Sequence, residues 1–375
     1  MTCEICDDEG LTVKAPKSKE AKTSSACDKS LDVNFDPRNI LVIDFGQLGD
    51  VVLSLPALRA IRERFPLAKI TVAVGKPGAD VVNLSGYANE ALVVDRVSLR
   101  DGSKPLSVLR LFKLVKDVRK KKFDFVVDLH SLSETNVLGF LSGAPKRLFA
   151  SRPGRSLDYL ANFHPRPPAE TDHHLRHVID RYLDVLIPLE IKNPERSPVL
   201  KTRAVDDASV ERILRKAKAE AGAPLVGLFP GAGHPSRRWP LNLFADLAEF
   251  LIRNDQVKVL VFVGPEERPL VKDIRQQFPS SVVVLDQLTV PQLASAQARL
   301  AAFVSNDTGP MHIASAVGTP VVLLLDKRAP KGYLPQGDRH RVIYNSVIGD
   351  ITVDEVYAAT RSILASGRTA ALFAT

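Results

Sequence analysis

Short apolar, β-branched runs recur along this chain, each followed by a longer amphipathic stretch, and that alternation constrains the fold more than any other feature. The first series is "NILVIDFG", "KITVAVG", "EALVVDRV" and "FDFVVDL"; the second is "PLVGLFPG", "VKVLVFVG", "SVVVLD", "LAAFVSND" and "PVVLLLD". These runs lack the polar-out alternation of a half-exposed strand, so they predict strands buried on both faces, as in parallel sheets. The stretches between them are long enough for crossover helices. In "VVLSLPALRAIRERF", Val51, Leu55, Leu58, Ile61 and Phe65 fall on one stripe, while Arg59, Arg62 and Glu63 face away. That spacing predicts an amphipathic helix over Val51–Phe65 with one buried face.

Two such series in 375 residues predict an α/β protein of two doubly wound, Rossmann-like domains facing a central cleft. The expected limits are a polar tail over 1–37, a first domain over 38–190, a linker over 191–204, a second domain over 205–350 and a C-terminal helix and tail over 351–375. Pro188, Pro194 and Pro198 punctuate the join.

No apolar run approaches the about 20 residues of a spanning helix, and the first residues lack the apolar core of a signal peptide. Cys3 and Cys6 have a metal-like or redox-like spacing, yet only Cys27 could join them, and a structural zinc site wants four ligands. Three cysteines without a framework suit a reducing cytoplasm. The formal charge of +8 and a pI near 9.3 point to anionic partners without choosing among nucleic acid, acidic lipid and phosphorylated substrates. No recognised nucleic-acid motif appears, so nucleic acid is not expected as a partner.

Ligands of open α/β sheets sit beyond the carboxyl ends of the strands, which directs attention to four turns: "DFGQLGD", "FPGAGHPSRRWP", "VGPEER" and "SNDTGPMH". In the last, Asp307 or Thr308 can cap a helix and Pro310 suits its first turn. Gly309 lets backbone amides approach a ligand, and the positive helix end favours a phosphate, with His312 in the same turn. Arg237 and Arg238 offer planar donors to phosphate oxygens, although two arginines in a loop are more often a solvated surface. Trp239 reads as packing for a helix entry. Glu266 and Glu267 lie where an acidic residue accepts ribose hydroxyls in related folds, though surface glutamates occur there too. Asp50 is either a helix cap or a carboxylate at the cleft able to accept a proton. "RKKKFD", Arg119 to Asp124, reads as a solvated helix end or a footing on an acidic membrane.

"ILVIDFGQLGDVVLSLPALRAIRERFP", "PGAGHPSRRWP", "VGPEE", "SNDTGPMHIASAVGTPVV" and "YLPQGDRHRVI" resemble, in order and spacing, the ADP-heptose:lipopolysaccharide heptosyltransferases of glycosyltransferase family 9. The resemblance covers roughly residues 38–345. It implies a GT-B fold, with the acceptor on the first domain and a nucleotide-sugar on the second. It further implies inverting, metal-independent transfer without a cofactor. The family's general base falls on Asp50, and its donor phosphate contacts fall on Thr308 and Gly309, with Asp307 and His312 in the same turn. The basic residue before Trp-Pro falls on Arg237 or Arg238, and the ribose-binding glutamate on Glu267. Acceptor contacts are assigned to Gly49, Arg147, Arg152 and Arg155. The chain departs from the family at Leu325–Asp326, where relatives have Phe-Gly, and its first 37 residues have no counterpart.

The expected partners are therefore a nucleotide-sugar such as ADP-heptose, a lipid-linked anionic glycan, and the inner face of the cytoplasmic membrane as a peripheral support. The remaining alternatives are a different nucleotide-sugar, an acceptor outside lipopolysaccharide, or a non-catalytic nucleotide-sugar-binding protein.

Overall fold

In the computed structural model, which describes residues 35–95, 104–170, 176–219 and 222–373, the apolar runs become strands of two separate parallel sheets. The first contains β1 (Asn39–Asp44), β2 (Lys69–Gly75), β3 (Glu90–Val94), β4 (Phe125–Asp128) and β5 (Lys146–Phe149) in the order β3-β2-β1-β4-β5. The second contains β6 (Leu225–Phe229), β7 (Lys258–Phe262), β8 (Val283–Leu285), β9 (Ala302–Asn306), β10 (Val321–Asp326) and β11 (Arg341–Asn345) in the order β11-β10-β9-β6-β7-β8. Every pairing is parallel; at the centre of the first sheet Ile40 lies between Ile70 and Phe125. This is the GT-B arrangement of two Rossmann-like halves.

β5 and β11, both edge strands, were not legible as apolar runs because their residues are mixed, whereas the other two edge strands, β3 and β8, keep apolar sequences. "KRLF" begins with two basic residues, and β11 alternates half-buried with exposed positions. An edge strand does not need apolar side chains on both faces.

The helices of the first half are α1 (Leu48–Arg64), α2 (Lys76–Ser85), α3 (Lys104–Lys120), α4 (Ser133–Leu141) and α5 (Val178–Asp184). Those of the second are α6 (Ala204–Lys216), α7 (Leu241–Asp255), α8 (Val271–Gln277), α9 (Val290–Gln297), α10 (Gly309–Ala316) and α11 (Val353–Phe373). α11 lies on α7 and on β9, β10 and β11, closing the second half.

α1 corrects the single-stripe expectation. All residues from Val51 to Leu58 are buried, not one face of them. α2 and α5 of the same half pack against the helix beside the sheet, and α10 of the other half packs against it as well. Ala294, Ile313 and Ala316 of the second half belong to the same apolar cluster as Ile40, Val52 and Leu55 of the first. The joining segment is docked as well: Leu200 is buried and its N–H donates to the Ala316 carbonyl at 2.9 Å. Phe35, in the segment expected as a tail, packs edge-on against Phe125 with ring centroids 5.0 Å apart.

Candidate functional site

Each sheet has one place where strand order reverses, between β1 and β4 in the first and between β6 and β9 in the second. Loops leaving neighbouring strands there turn to opposite faces and open a crevice. The turns after β1 and β9 lead into α1 and α10, and these two helix N-termini meet. A Cβ on Gly49 would lie 2.8 Å from His312 Cδ2 and 3.6 Å from the Gly309 Cα. A Cβ on Gly309 would lie 3.0 Å from Leu48 Cδ2. Both glycines are thus needed for helix-to-helix approach, in addition to any role toward a ligand.

Asp50 sits in the first turn of α1, which starts at Leu48, three residues before the expected Val51. The N-cap is Gln47, and Asp50 Oδ2 accepts its backbone N–H at 2.9 Å. The capping role is therefore real, though exercised from inside the first turn. Tyr333 also acts on the carboxylate and favours its ionised form. Burial raises the Asp50 pKa, the Gln47 N–H opposes that, and the charge of Asp44 adds to it. Asp44 ends β1, accepts the Gly46 N–H at 2.9 Å, and lies 3.8 Å from His130 Nδ1. Sequence reasoning missed Tyr333, Asp44 and His130. Asp44 at the carboxyl end of a central strand was the one detectable signal.

The turn opposite carries Asp307, Thr308 and Gly309. Thr308 is the N-cap of α10 in extended conformation, with φ −152° and ψ 162°, and its side chain makes no cap to the helix. Its hydroxyl lies 3.3 Å from Ser305 Oγ. Asp307 lies 3.8 Å from Arg237 Nη1 and 4.0 Å from His312 Nε2. Burial raises the Asp307 pKa, Arg237 opposes this, and Asp50 raises it further, so the two carboxylates sense each other across the halves. Burial holds the His312 pKa down to about 4. The imidazole is therefore neutral near pH 7, and its approach to Asp307 is not an ion pair.

The two arginines divide. Arg238 donates from Nε and Nη2 to the Ala232 carbonyl at 3.2 and 3.0 Å, which ties it to its own loop. Arg237 is half exposed and faces Asp307. Trp239 packs, as its sequence context suggested: it is buried, edge-on to Phe244, and its Nε1–H donates to the Ile351 carbonyl at 2.8 Å. Asn306 accepts the Trp239 N–H at 3.0 Å and donates to the Gly231 carbonyl at 3.0 Å, stitching the turns after β6 and β9 together. Glu267 is buried beneath Gly231, where a Cβ would lie 2.4 Å from its carboxyl carbon. Burial raises its pKa, as does Glu266, while Arg238 opposes them. At Leu325–Asp326, Asp326 Oδ1 accepts the Arg328 N–H at 2.8 Å, and Arg328 Nη2 donates to the Ser236 carbonyl at 2.7 Å. The departure thus braces the turn that carries Arg237.

Of the arginines expected to contact an acceptor, Arg147 donates to the carbonyls of Ala144 and Leu160 at 2.6 and 3.0 Å. Arg152 is buried, lies 2.8 Å from Glu170 and donates to the His130 carbonyl; Glu170 also pairs with Arg181 at 2.5 Å. These two guanidiniums hold their own domain together, whereas Arg155 is exposed. Among the described residues, no three or more His, Cys, Asp or Glu side chains are grouped to hold a metal ion. Cys3, Cys6 and Cys27 lie outside the described residues.

Residues 111–353 match the profile of glycosyltransferase family 9 (heptosyltransferase). The chain belongs to glycosyltransferase family 9. Lipopolysaccharide heptosyltransferase 2 of Escherichia coli K12 is 24% identical over 315 residues, covering 81% of this chain and 87% of that protein. Lipooligosaccharide heptosyltransferase 2 of Haemophilus influenzae is 30% identical over a shorter stretch of 165 residues, 42% of this chain and 47% of that protein. Among solved structures, a family 9 glycosyltransferase from Veillonella parvula superposes with a TM-score of 0.78 at 23% identity, covering 88% of this chain and 98% of the other. E. coli heptosyltransferase WaaC with ADP-2-deoxy-2-fluoro heptose does so with 0.65 at 18% identity, over 86% and 99%. The protein is accordingly a glycosyltransferase of GT-B fold. For such an enzyme, the meeting of a carboxylate from one half with an uncapped helix N-terminus from the other is a chemically meaningful juxtaposition.

Proposed function

We propose that this glycosyltransferase moves a heptose from ADP-heptose to an anionic lipopolysaccharide inner-core acceptor, with inversion and without a metal ion. The observation that carries the reading is the convergence of Asp50 with the Asp307–Gly309 turn across the two halves. The acceptor hydroxyl attacks the anomeric carbon and gives its proton to Asp50, whose raised pKa makes it a stronger base than an exposed aspartate. The bond from that carbon to the diphosphate oxygen breaks on the opposite face, and the electron pair leaves with ADP. The N-terminal amides of α10, the Thr308 hydroxyl and Arg237 stabilise the charge developing on the β-phosphate. Glu267 accepts the ribose hydroxyls. The heptosyl donor is supported by the family, and by the relative solved with an ADP-heptose analogue.

The acceptor is lipid-linked in this reading, and α3 supplies the footing. Phe112 and Leu111 are 70% and 45% exposed, and Lys113, Lys116, Arg119 and Lys120 are exposed beside them. An aromatic wedge amid basic residues suits the acidic inner face of a bilayer. The rest of "RKKKFD" is structural: Lys121 pairs with Glu90 at 2.6 Å, and Asp124 accepts the Arg38 N–H at 2.8 Å.

Transfer from ADP-heptose, compared with UDP- and GDP-sugars and with and without EDTA, tests the assignment. Turnover with ADP-heptose that persists in EDTA and gives the inverted linkage is expected. Preference for another nucleotide, or magnesium-restored loss in EDTA, would overturn the corresponding part.

A further inference from the structure

The segment after β10 reaches out of the donor-binding half and lies on the other one. Gly332 runs so close to the Arg176 carbonyl that a Cβ would stand 2.7 Å from its oxygen. His177 Nδ1 accepts the Ile179 N–H at 3.2 Å, which leaves the proton on Nε2 to donate to the Leu334 carbonyl at 2.9 Å. Between these two attachments, Tyr333 packs against the apolar core of the first half, its ring centroid 6.4 Å from that of His312.

We propose that Tyr333 is a positioning residue for the general base: the donor-side half delivers a phenol hydroxyl to the Asp50 carboxylate, and His177 latches the strap that carries it. This rests on Asp50 being the base. One Asp50 oxygen is held by the Gln47 N–H, and a phenol brought to the carboxylate by the strap would fix its second direction. A carboxylate held at two points presents a defined lone pair to an incoming hydroxyl, whereas one held at a single point swings. Because the two partners come from different halves, the base is fully oriented only when the halves are together.

The charged and titratable groups facing Asp50 are Asp44 from β1, His130 after β4, Tyr182 from α5, Asp307 from the donor turn, and Tyr333 itself. Burial and the Asp50 charge raise the Tyr333 pKa, so the phenol stays protonated as the donor. A hydrogen bond to the ionised carboxylate favours ionisation, so its removal moves the Asp50 titration to higher pH.

Tyr333→Phe in the full chain tests this with two readouts. Infrared difference titration, with Asp50→Asn as the blank, follows the Asp50 carboxyl directly. Transfer kinetics with ADP-heptose and inner-core acceptor follow kcat and KM. The expected result is an upward move of the carboxyl titration and of the acid limb of kcat, with kcat reduced about tenfold, the worth of one hydrogen bond to a charged group, and KM for ADP-heptose unchanged. His177→Ala, which frees the latch but keeps the phenol, is expected to move the titration in the same direction by less. An unmoved carboxyl titration in folded Tyr333→Phe overturns the inference. Normal turnover by Asp50→Asn overturns the base assignment instead, and the infrared arm still decides whether Tyr333 bonds Asp50.

Discussion

Gly49 and His312, 263 positions apart in the chain, touch at the junction of the two halves, with room for no more than hydrogen on the glycine. Gly49→Ala is expected to push a buried imidazole that has little space to move, lowering stability by about 1–3 kcal/mol, the usual cost of overpacking. Thermal unfolding measures it. An unchanged Tm would mean that the halves separate easily at this contact.

Gly309→Val meets Leu48 in the same way and also thickens the backbone where a diphosphate would approach. ADP binding by calorimetry is expected to weaken, while Gly49→Ala loses less ADP affinity than stability. Equal ADP affinity in Gly309→Val and the parent would remove the α10 N-terminus from the donor site.

Asp50→Asn keeps an oxygen able to accept the Gln47 N–H, so folding and ADP affinity are expected to survive. Turnover is expected to fall about 10²–10⁴-fold, the range of a general base. Retained turnover in a folded Asp50→Asn protein would reduce the residue to a cap.

Two buried groups give stability opposite dependences on pH. Burial raises Asp128 from 3.8 to about 7, so its contribution is present below 3.8 and is lost as pH rises toward 7. Burial lowers His312 from 6.5 to about 4, so its contribution is present above 6.5 and is lost as pH falls toward 4. Between these limits the two slopes oppose. Chemical denaturation from pH 4 to 7 is expected to show Asp128→Asn gaining stability with pH relative to the parent, and His312→Gln losing it. Parallel curves for all three proteins would contradict both shifts.

The α3 footing predicts salt-sensitive binding to vesicles containing acidic lipid. Phe112→Ser is expected to remove the apolar part of that binding. Lys116→Glu and Lys120→Glu are expected to weaken the electrostatic part, at about 1 kcal/mol per basic residue lost. Sedimentation with acidic and neutral vesicles distinguishes them, and equal binding of the parent to both would exclude this surface.

The strands between neighbours were legible from the sequence because burial on both faces requires apolar side chains at every position, a pattern written in consecutive residues. The turn into α10 was legible for a similar reason. Asp307 to His312 follow one another, so a strand end, a cap and a helix start can be read from one short run. β5 and β11 escaped because, at a sheet edge, their sequences mix polar with apolar residues, while the edge strands β3 and β8 stayed apolar and were read. What only the tertiary structure decided are relations between distant segments. Arg147 and Arg152 look like candidate anion ligands in sequence, yet carbonyls and Glu170 already engage them. Arg237 and Arg238 are neighbours of identical chemistry, separated only by which faces Asp307 and which meets Ala232. α1 carries apolar residues beyond its expected stripe because α10 supplies a second wall. Tyr333 gave no chemical signal, since a phenol gains meaning only from the carboxylate it reaches. The sequence determined the local elements and the residues able to do chemistry. The packing of one half against the other determined which of them meet, because charge pairing and close approach depend on distance in space.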